Sequence, residues 1–349
     1  MKAVRFHGKH DVRVEDIPEP TVGPGQVKLR NAYAGICGSD LHFYFYPESL
    51  PFDFSKPHPV TGATLPQVLG HEFSGTVVEV GPDVTDVQVG DRAAVFPLVK
   101  SCGHCAPCRA GKPFICHQIG ALGATAPGGG LSEYVTVNAG QLHKLPDNVD
   151  LRMGALVEPL AVGWHGVART NAEPGDTALV AGAGPVGFGA WFALKARGVE
   201  RILVSEPNVQ RREAIAKIGA DVVDPADDLA AAIAKFTDGE GVKVAVDAAG
   251  AGPAATGAIA GLMPGGRLSV VALHENPVEL SLTQLMMSEL EVVGAVGYEP
   301  QEFDEVITAM ADGFYDTTGW VEERPFDGII DAFHDLRNGV GGKVLLRVS

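Results

Sequence analysis

Cysteine is scarce in this chain and unevenly placed. Of five cysteines, four (Cys102, Cys105, Cys108 and Cys116) fall in one C-x2-C-x2-C-x7-C cluster, and only Cys37 lies outside it. A second site rich in thiolates is therefore excluded. Long apolar runs are missing too. One long stretch without a charge, Thr177 to Leu194, holds four glycines and Pro185 and changes midway from a strand-like to a helical pattern. That reads as a buried strand–turn–helix, not a membrane span. Positive charge is short: 27 basic against 43 acidic residues leave a net charge of −16. Such a surface repels phosphate backbones, and no basic patch with interleaved aromatics offsets it, so no nucleic-acid partner is expected. The first residues, MKAVRFHGKHDV, contain no apolar h-region, so no secretory leader is expected. Clustered reduced cysteines fit a cytoplasmic location.

What is present points to two domains, because 349 residues exceed one ordinary core. The 44 glycines and 24 prolines favour α/β or β-barrel architecture over a helical bundle. Residues 1–153 carry short β-like runs (Val12–Val14, Val27–Ala32, Ser74–Val80, Arg92–Phe96, Ser132–Val137), the texture of a small barrel or sandwich. Long irregular segments, 43–68 and 98–130, lie between them, and such loops usually carry function. Over residues 154–294, apolar strands alternate with helices: Thr177–Ala183, Val186–Arg197, Ile202–Ser205, Val209–Ile218, Val242–Asp247, Pro253–Leu262, Leu268–Leu273. This is the pattern of a doubly wound parallel sheet covered on both faces. The tail, 295–349, adds a helix near Gln301–Met310 and a closing strand near Lys343–Val348. The apolar stretch Leu285–Val296 is either an interface or a core strand.

Gly182-x-Gly184-x-x-Gly187 follows the strand Thr177–Ala183 and opens a helix through Pro185 and Val186. The first glycine permits a tight turn, the second a close approach of backbone to pyrophosphate, and the third close helix–strand packing. Glu206 ends the next strand, nineteen residues after Gly187. A carboxylate there accepts hydrogen bonds from ribose hydroxyls and repels a 2′-phosphate, which favours NAD over NADP. Arg211 and Arg212 are the opposing signal; they are expected on the exposed face of the next helix, with Arg211 a candidate cofactor contact.

The four-cysteine cluster reads as a closed tetrahedral structural zinc site, with a disulfide set or an iron–sulfur centre as alternatives. A second zinc must complete its shell with histidine and carboxylate. Its candidates are Cys37, then His71 with Glu72, then Glu158 ahead of Pro159. Each also has a plain structural reading: a small buried thiol, a core histidine, a helix-start acid.

Taken together, these motifs resemble a known family. Gly70-His71-Glu72-x-x-Gly75, followed by Gly81 and Val84, is similar to the zinc signature of the medium-chain alcohol and polyol dehydrogenases. The cysteine lobe, the glycine fingerprint and the Cys37 segment follow in that family's order. The segment His58 to His71, the run Val157 to Val162 with Trp164-His165, and Ser205-Glu206-Pro207 most resemble its (R,R)-2,3-butanediol dehydrogenase group. The resemblance implies a GroES-like β-barrel catalytic domain, completed by the C-terminal return 295–349, plus a Rossmann domain at 154–294. It implies two zincs, one catalytic and one structural, and reversible hydride transfer between NAD(H) and a secondary alcohol or ketone. The implied substrate pair is 2,3-butanediol and acetoin. Polyol (sorbitol-type) and L-threonine 3-dehydrogenases share these motifs, and a zinc-free quinone or enone reductase is the more distant alternative. Ser39 is implied as first proton acceptor, His42 as relay to solvent, and Glu72 as a further ligand or an orienting group. A dimer or tetramer is implied as well.

Overall fold

The computed structural model of the chain describes residues 1–50 and 52–349. It contains two compact units. One comprises Met1–Glu158, Phe303–Ala311 and Glu322–Ser349; the other comprises Pro159–Glu302 and Asp312–Val321.

The first unit is built on antiparallel strands. Gln26–Gly35 is central: it pairs with Glu72–Val80, with Tyr134–Asn138 and with the closing strand Lys343–Arg347. A smaller sheet joins Asp11–Asp16, Lys2–Gly8 and Gln67–Val68. The strand Lys2–Gly8 was not anticipated from sequence. Its Lys2, Arg5 and His7 interleave with Ala3, Val4 and Phe6, which are buried. The shared core gathers Phe6, Leu29, Phe43, Phe73, Val77 and Phe333. Burying each such large side chain contributes about 1.5–3 kcal/mol. The expected irregular segments are largely irregular, broken by short turns of helix such as Ala106–Arg109 and Pro113–Ile115.

The second unit is a six-stranded sheet in the order Asp221–Val223, Arg201–Ser205, Thr177–Ala181, Val242–Asp247, Leu262–Val270, Glu291–Gly294. Every pairing is parallel. The order reverses between Thr177–Ala181 and Val242–Asp247, the switch point at which such sheets bind ligands outside their carboxyl ends. Two local expectations change. The fifth strand starts at Leu262 and stops at Val270. Leu285–Val296 is no core strand: it contributes to the helix Leu282–Met287 and to Glu291–Gly294, which pairs on one side only. No described helix is long and apolar enough to cross a membrane.

Candidate active site and metal centres

The four clustered cysteines converge. Their sulfurs lie within 4.8 Å of one another, and none is in a disulfide. Cys105 Sγ is 3.4 Å from Cys108 Sγ and 3.8 Å from Cys116 Sγ, while Cys102 and Cys108 are 3.9 Å apart. A disulfide needs about 2.05 Å. Zinc with bonds of about 2.3 Å to four sulfurs would hold them about 3.8 Å apart. The donor set therefore fits zinc in both chemistry and spacing. Backbone N–H groups already point at the sulfurs: Cys105 N donates to Cys102 Sγ (3.4 Å), and Gln118 N to Cys116 Sγ (3.4 Å). A hydrogen bond from Ser101 is the main reason the Cys108 thiol is pulled down to about 6. The Cys105 thiol, though a backbone hydrogen bond from Cys108 lowers it, is pushed up to about 12 by burial and the neighbouring sulfurs, so it is the spacing that carries the fit to zinc.

The second group forms where the central strand ends. Gly35 stands opposite Glu72 in the antiparallel register, so Cys37, two residues on, arrives beside His71. A Cβ at Gly35 would run into the Glu72 carboxylate and the Lys343 side chain. Cys37 caps the helix Gly38–Phe45, and Asp40 Oδ2 accepts a 2.9 Å hydrogen bond from Cys37 N, fixing the thiol's backbone. Cys37, His71 and Glu72 place their ligand atoms within 4.8 Å of one another. Glu158, buried near the start of the helix Val157–Ala168, stands outside that grouping, yet its charge acts on His71.

Electrostatics at this site call for a cation. Burial lowers the His71 pKa, but Cys37, Asp40 and Glu158 outweigh it and hold the imidazole well above its ordinary value. Burial raises Asp40, which is wholly enclosed. His71 Nδ1 and Asp40 Oδ1 are both buried without a hydrogen-bond partner. A soft thiolate, an imidazole and a carboxylate, surrounded by further acid, fit zinc well.

The sequence reading missed one neighbour entirely. Lys343, 1% exposed, pairs its ammonium with Glu72 Oε2 and donates to the carbonyl of Ile36 at 2.9 Å. Its only signal was a lysine opening the strand Lys343–Arg347 ahead of the apolar run Val344–Leu346. The proposed relay residues lie on one helix. Ser39 Oγ is 3.4 Å from His71 Nε2, whereas His42 Nδ1 sits 3.5 Å from Ser49 Oγ. No direct hydrogen bond joins Ser39 to His42, so a proton moving between them needs a bridging hydroxyl or water. Residues 52–65 do wall a cavity of about 370 Å³, together with Gln67 and His117. None of Cys37, Ser39, His42, His71, Glu72 and Glu158 lines it, so this cavity is not the chemical site.

In the second unit the fingerprint turn is built as its glycines require. Gly182 adopts φ +99°, and a Cβ there would press on the Ala249 backbone. A Cβ at Gly187 would collide with the Gly182 carbonyl, while one at Gly184 would meet nothing within 4 Å. Gly184 thus presents an open face at the N-terminus of the helix Pro185–Ala196, with Pro185 and Val186 in its first turn. Glu206 is buried and braces this turn: its two oxygens accept from Ala183 N (2.7 Å) and Asn208 N (2.8 Å). Arg211 donates its backbone N–H to the Asn208 cap. Arg212 corrects an expectation. It is half-buried rather than on the exposed face, bound to the Glu206 carbonyl and paired with Asp224 at 3.0 Å.

Comparison with known proteins agrees with both halves. Residues 23–147 match the alcohol dehydrogenase GroES-like domain, and residues 185–312 match the zinc-binding dehydrogenases. The chain is 40% identical to (R,R)-butanediol dehydrogenase of Bacillus subtilis (strain 168), over 93% of this chain and 92% of that one. It is 32% identical to sorbitol dehydrogenase of the same strain, over 93% and 90%. Its fold superimposes on the crystal structure of 2R,3R-butanediol dehydrogenase from Bacillus subtilis with a TM-score of 0.92 and 37% identity, covering 100% of this chain and 99% of that one. The chain therefore belongs to the zinc-binding medium-chain dehydrogenases, a family of oxidoreductases that joins a GroES-like domain to a Rossmann domain.

Proposed function

We propose that this protein is a zinc- and NAD-dependent secondary-alcohol dehydrogenase that interconverts 2,3-butanediol and acetoin. The observation that carries the reading is the convergent Cys37–His71–Glu72 grouping, with Glu72 buried and the other two half-buried. Cys37 and His71 would hold the catalytic zinc, with Glu72 and Glu158 as the two carboxylates able to complete its shell. Cys102, Cys105, Cys108 and Cys116 would hold the structural one. Bound at the first site, zinc supplies Lewis acidity that makes an alcohol hydroxyl more acidic. NAD supplies the hydride acceptor. The chain's own residues do the rest. Ser39 receives the substrate proton and, through a bridging hydroxyl or water, His42 passes it toward solvent. Lys343 keeps one Glu72 oxygen occupied, which limits how that carboxylate can turn toward a metal.

Glu206 supports NAD rather than NADP, as does Arg212, whose charge is paired with Asp224. Gly182, Gly184, Pro185, Val186 and Gly187 would cradle the pyrophosphate, with Glu206 on the ribose and Arg211 beside it. A cytoplasmic location suits this cofactor use and the reduced cysteines. The identity to butanediol dehydrogenase of Bacillus subtilis supports the diol; the sorbitol dehydrogenase relative makes polyols the second reading, with threonine a third. Substrate profiling separates them. The proposal expects (R,R)-2,3-butanediol to give the highest kcat/KM, and sorbitol or threonine turning over far faster would overturn it.

The protein is further proposed to self-associate through the open edge of the strand Glu291–Gly294. Val292 and Val296 are exposed there, as are Leu282, Met286 and Met287 on the preceding helix. An unpaired strand edge flanked by apolar side chains is stabilised by pairing with a second copy. Sedimentation should show a dimer or tetramer, and Val292→Lys should shift it toward monomer. A wild-type monomer would contradict this.

A further inference from the structure

Asp247 and His274 form a hydrogen-bonded pair outside the residues assigned above. Asp247 closes the strand Val242–Asp247 and is fully buried. Its strand lies across the switch point from the fingerprint strand, with Asp247 in register with Ala181. One residue ties together two segments, 248–250 and 271–274, at this carboxyl edge. Oδ1 accepts from Ala249 N (3.0 Å) and Gly250 N (3.2 Å). The main-chain carbonyl accepts from Val271 N (3.0 Å) and Ala272 N (3.1 Å). Oδ2 is 2.7 Å from His274 Nε2. The turn 248–250 in turn touches Gly182, whose Cβ position abuts the Ala249 backbone.

The geometry assigns His274 as a positioning residue for the nicotinamide half of the cofactor, an assignment that rests on the NAD-dependent reading above. In a sheet of this order each half holds one nucleotide. Glu206, on the Arg201–Ser205 side, marks the adenosine half, so the nicotinamide half belongs to the side of Val242–Asp247 and Leu262–Val270. The segment 271–274 leaves that side at the sheet's carboxyl edge, with the His274 side chain 17% exposed. The 2.7 Å contact between Asp247 Oδ2 and His274 Nε2 fixes the ring's orientation and clamps the end of the segment. The buried carboxylate thus has both oxygens engaged, Oδ1 by the 249–250 backbone and Oδ2 by His274.

The test uses the full-length, zinc-loaded enzyme with His274→Leu and His274→Gln, the latter retaining a donor near the Nε2 position. Steady-state kinetics in NAD and in butanediol, NADH binding by fluorescence, and thermal melts are measured together. His274→Leu should raise KM for NAD about tenfold, as loss of a hydrogen bond to a charged group implies. KM for the diol and kcat at saturating NAD should move less than about twofold, with His274→Gln restoring most of the NAD affinity. A purely structural role would lower the melting temperature and leave KM for NAD unchanged, which overturns the assignment; so would equal rises in both KM values. Failure of the wild-type enzyme to bind NADH would overturn the dehydrogenase reading and this inference with it.

Discussion

At the scale of single residues, the metal group is governed by neighbours remote in sequence. Lys343 reaches Glu72 across 271 residues, and both are 1% exposed. Breaking a buried pair leaves a bare charge, so Lys343→Met should cost about 3–5 kcal/mol in denaturant unfolding. Lys343→Arg should recover part of that loss. A Lys343→Met protein as stable as wild type would mean that Glu72 is protonated or otherwise compensated. Cys37→Ala should abolish turnover by at least about a thousandfold while leaving the melting temperature near wild type, because a catalytic ligand is not a folding clamp. These same residues mark the limit of sequence reading. Cys37 and His71 were recognisable because thiol and imidazole are rare and carry a signature. Lys343, Asp40 and the Asp247–His274 pair were not, because common charged residues acquire meaning only when folding brings their partners to them.

At the scale of elements, pattern and position diverge in an instructive way. A strand rich in β-branched residues, such as Val242–Asp247, was legible to the residue; Lys2–Gly8 was hidden because Lys2, Arg5 and His7 interrupt its few apolar residues without a regular period. In the cysteine lobe the four sulfurs converge, and the proposed structural zinc would hold them together. Cys105→Ala should remove one zinc per chain and lower the melting temperature, since a structural metal contributes folding energy outright. Unchanged stability would show that the lobe holds itself. The strand Val321–Pro325 is tied down by Glu323, which bridges Arg152 (2.9 Å) and Arg347 (2.7 Å). Burial would raise the Glu323 pKa, but the two guanidinium groups dominate and lower it. A lowered folded pKa means stabilisation that is present above the ordinary glutamate value of about 4.3 and lost as pH falls below it. Glu323→Gln should therefore flatten the acid limb of the stability curve; an unaltered limb would place the acid sensitivity elsewhere.

At the scale of the whole molecule, the two textures legible in the sequence correspond to two chemical tasks. The antiparallel unit gathers both metal groups, and the parallel unit carries the dinucleotide edge. Fold class was readable because sheet type is written in hydrophobic period, alternating in one part and continuous in the other. The open edge at Glu291–Gly294 was only half readable: an apolar run looks alike whether it faces a core or a second subunit. The central claim is that one chain holds a catalytic zinc distinct from its structural zinc and uses it to oxidise a diol. The most direct measurement is zinc content alongside NADH formation from (R,R)-2,3-butanediol during chelator titration. Two zincs per chain, with activity falling as the more weakly held one leaves, is the expected result. A single zinc, retained by the cysteine lobe in an enzyme still active on the diol, would contradict it.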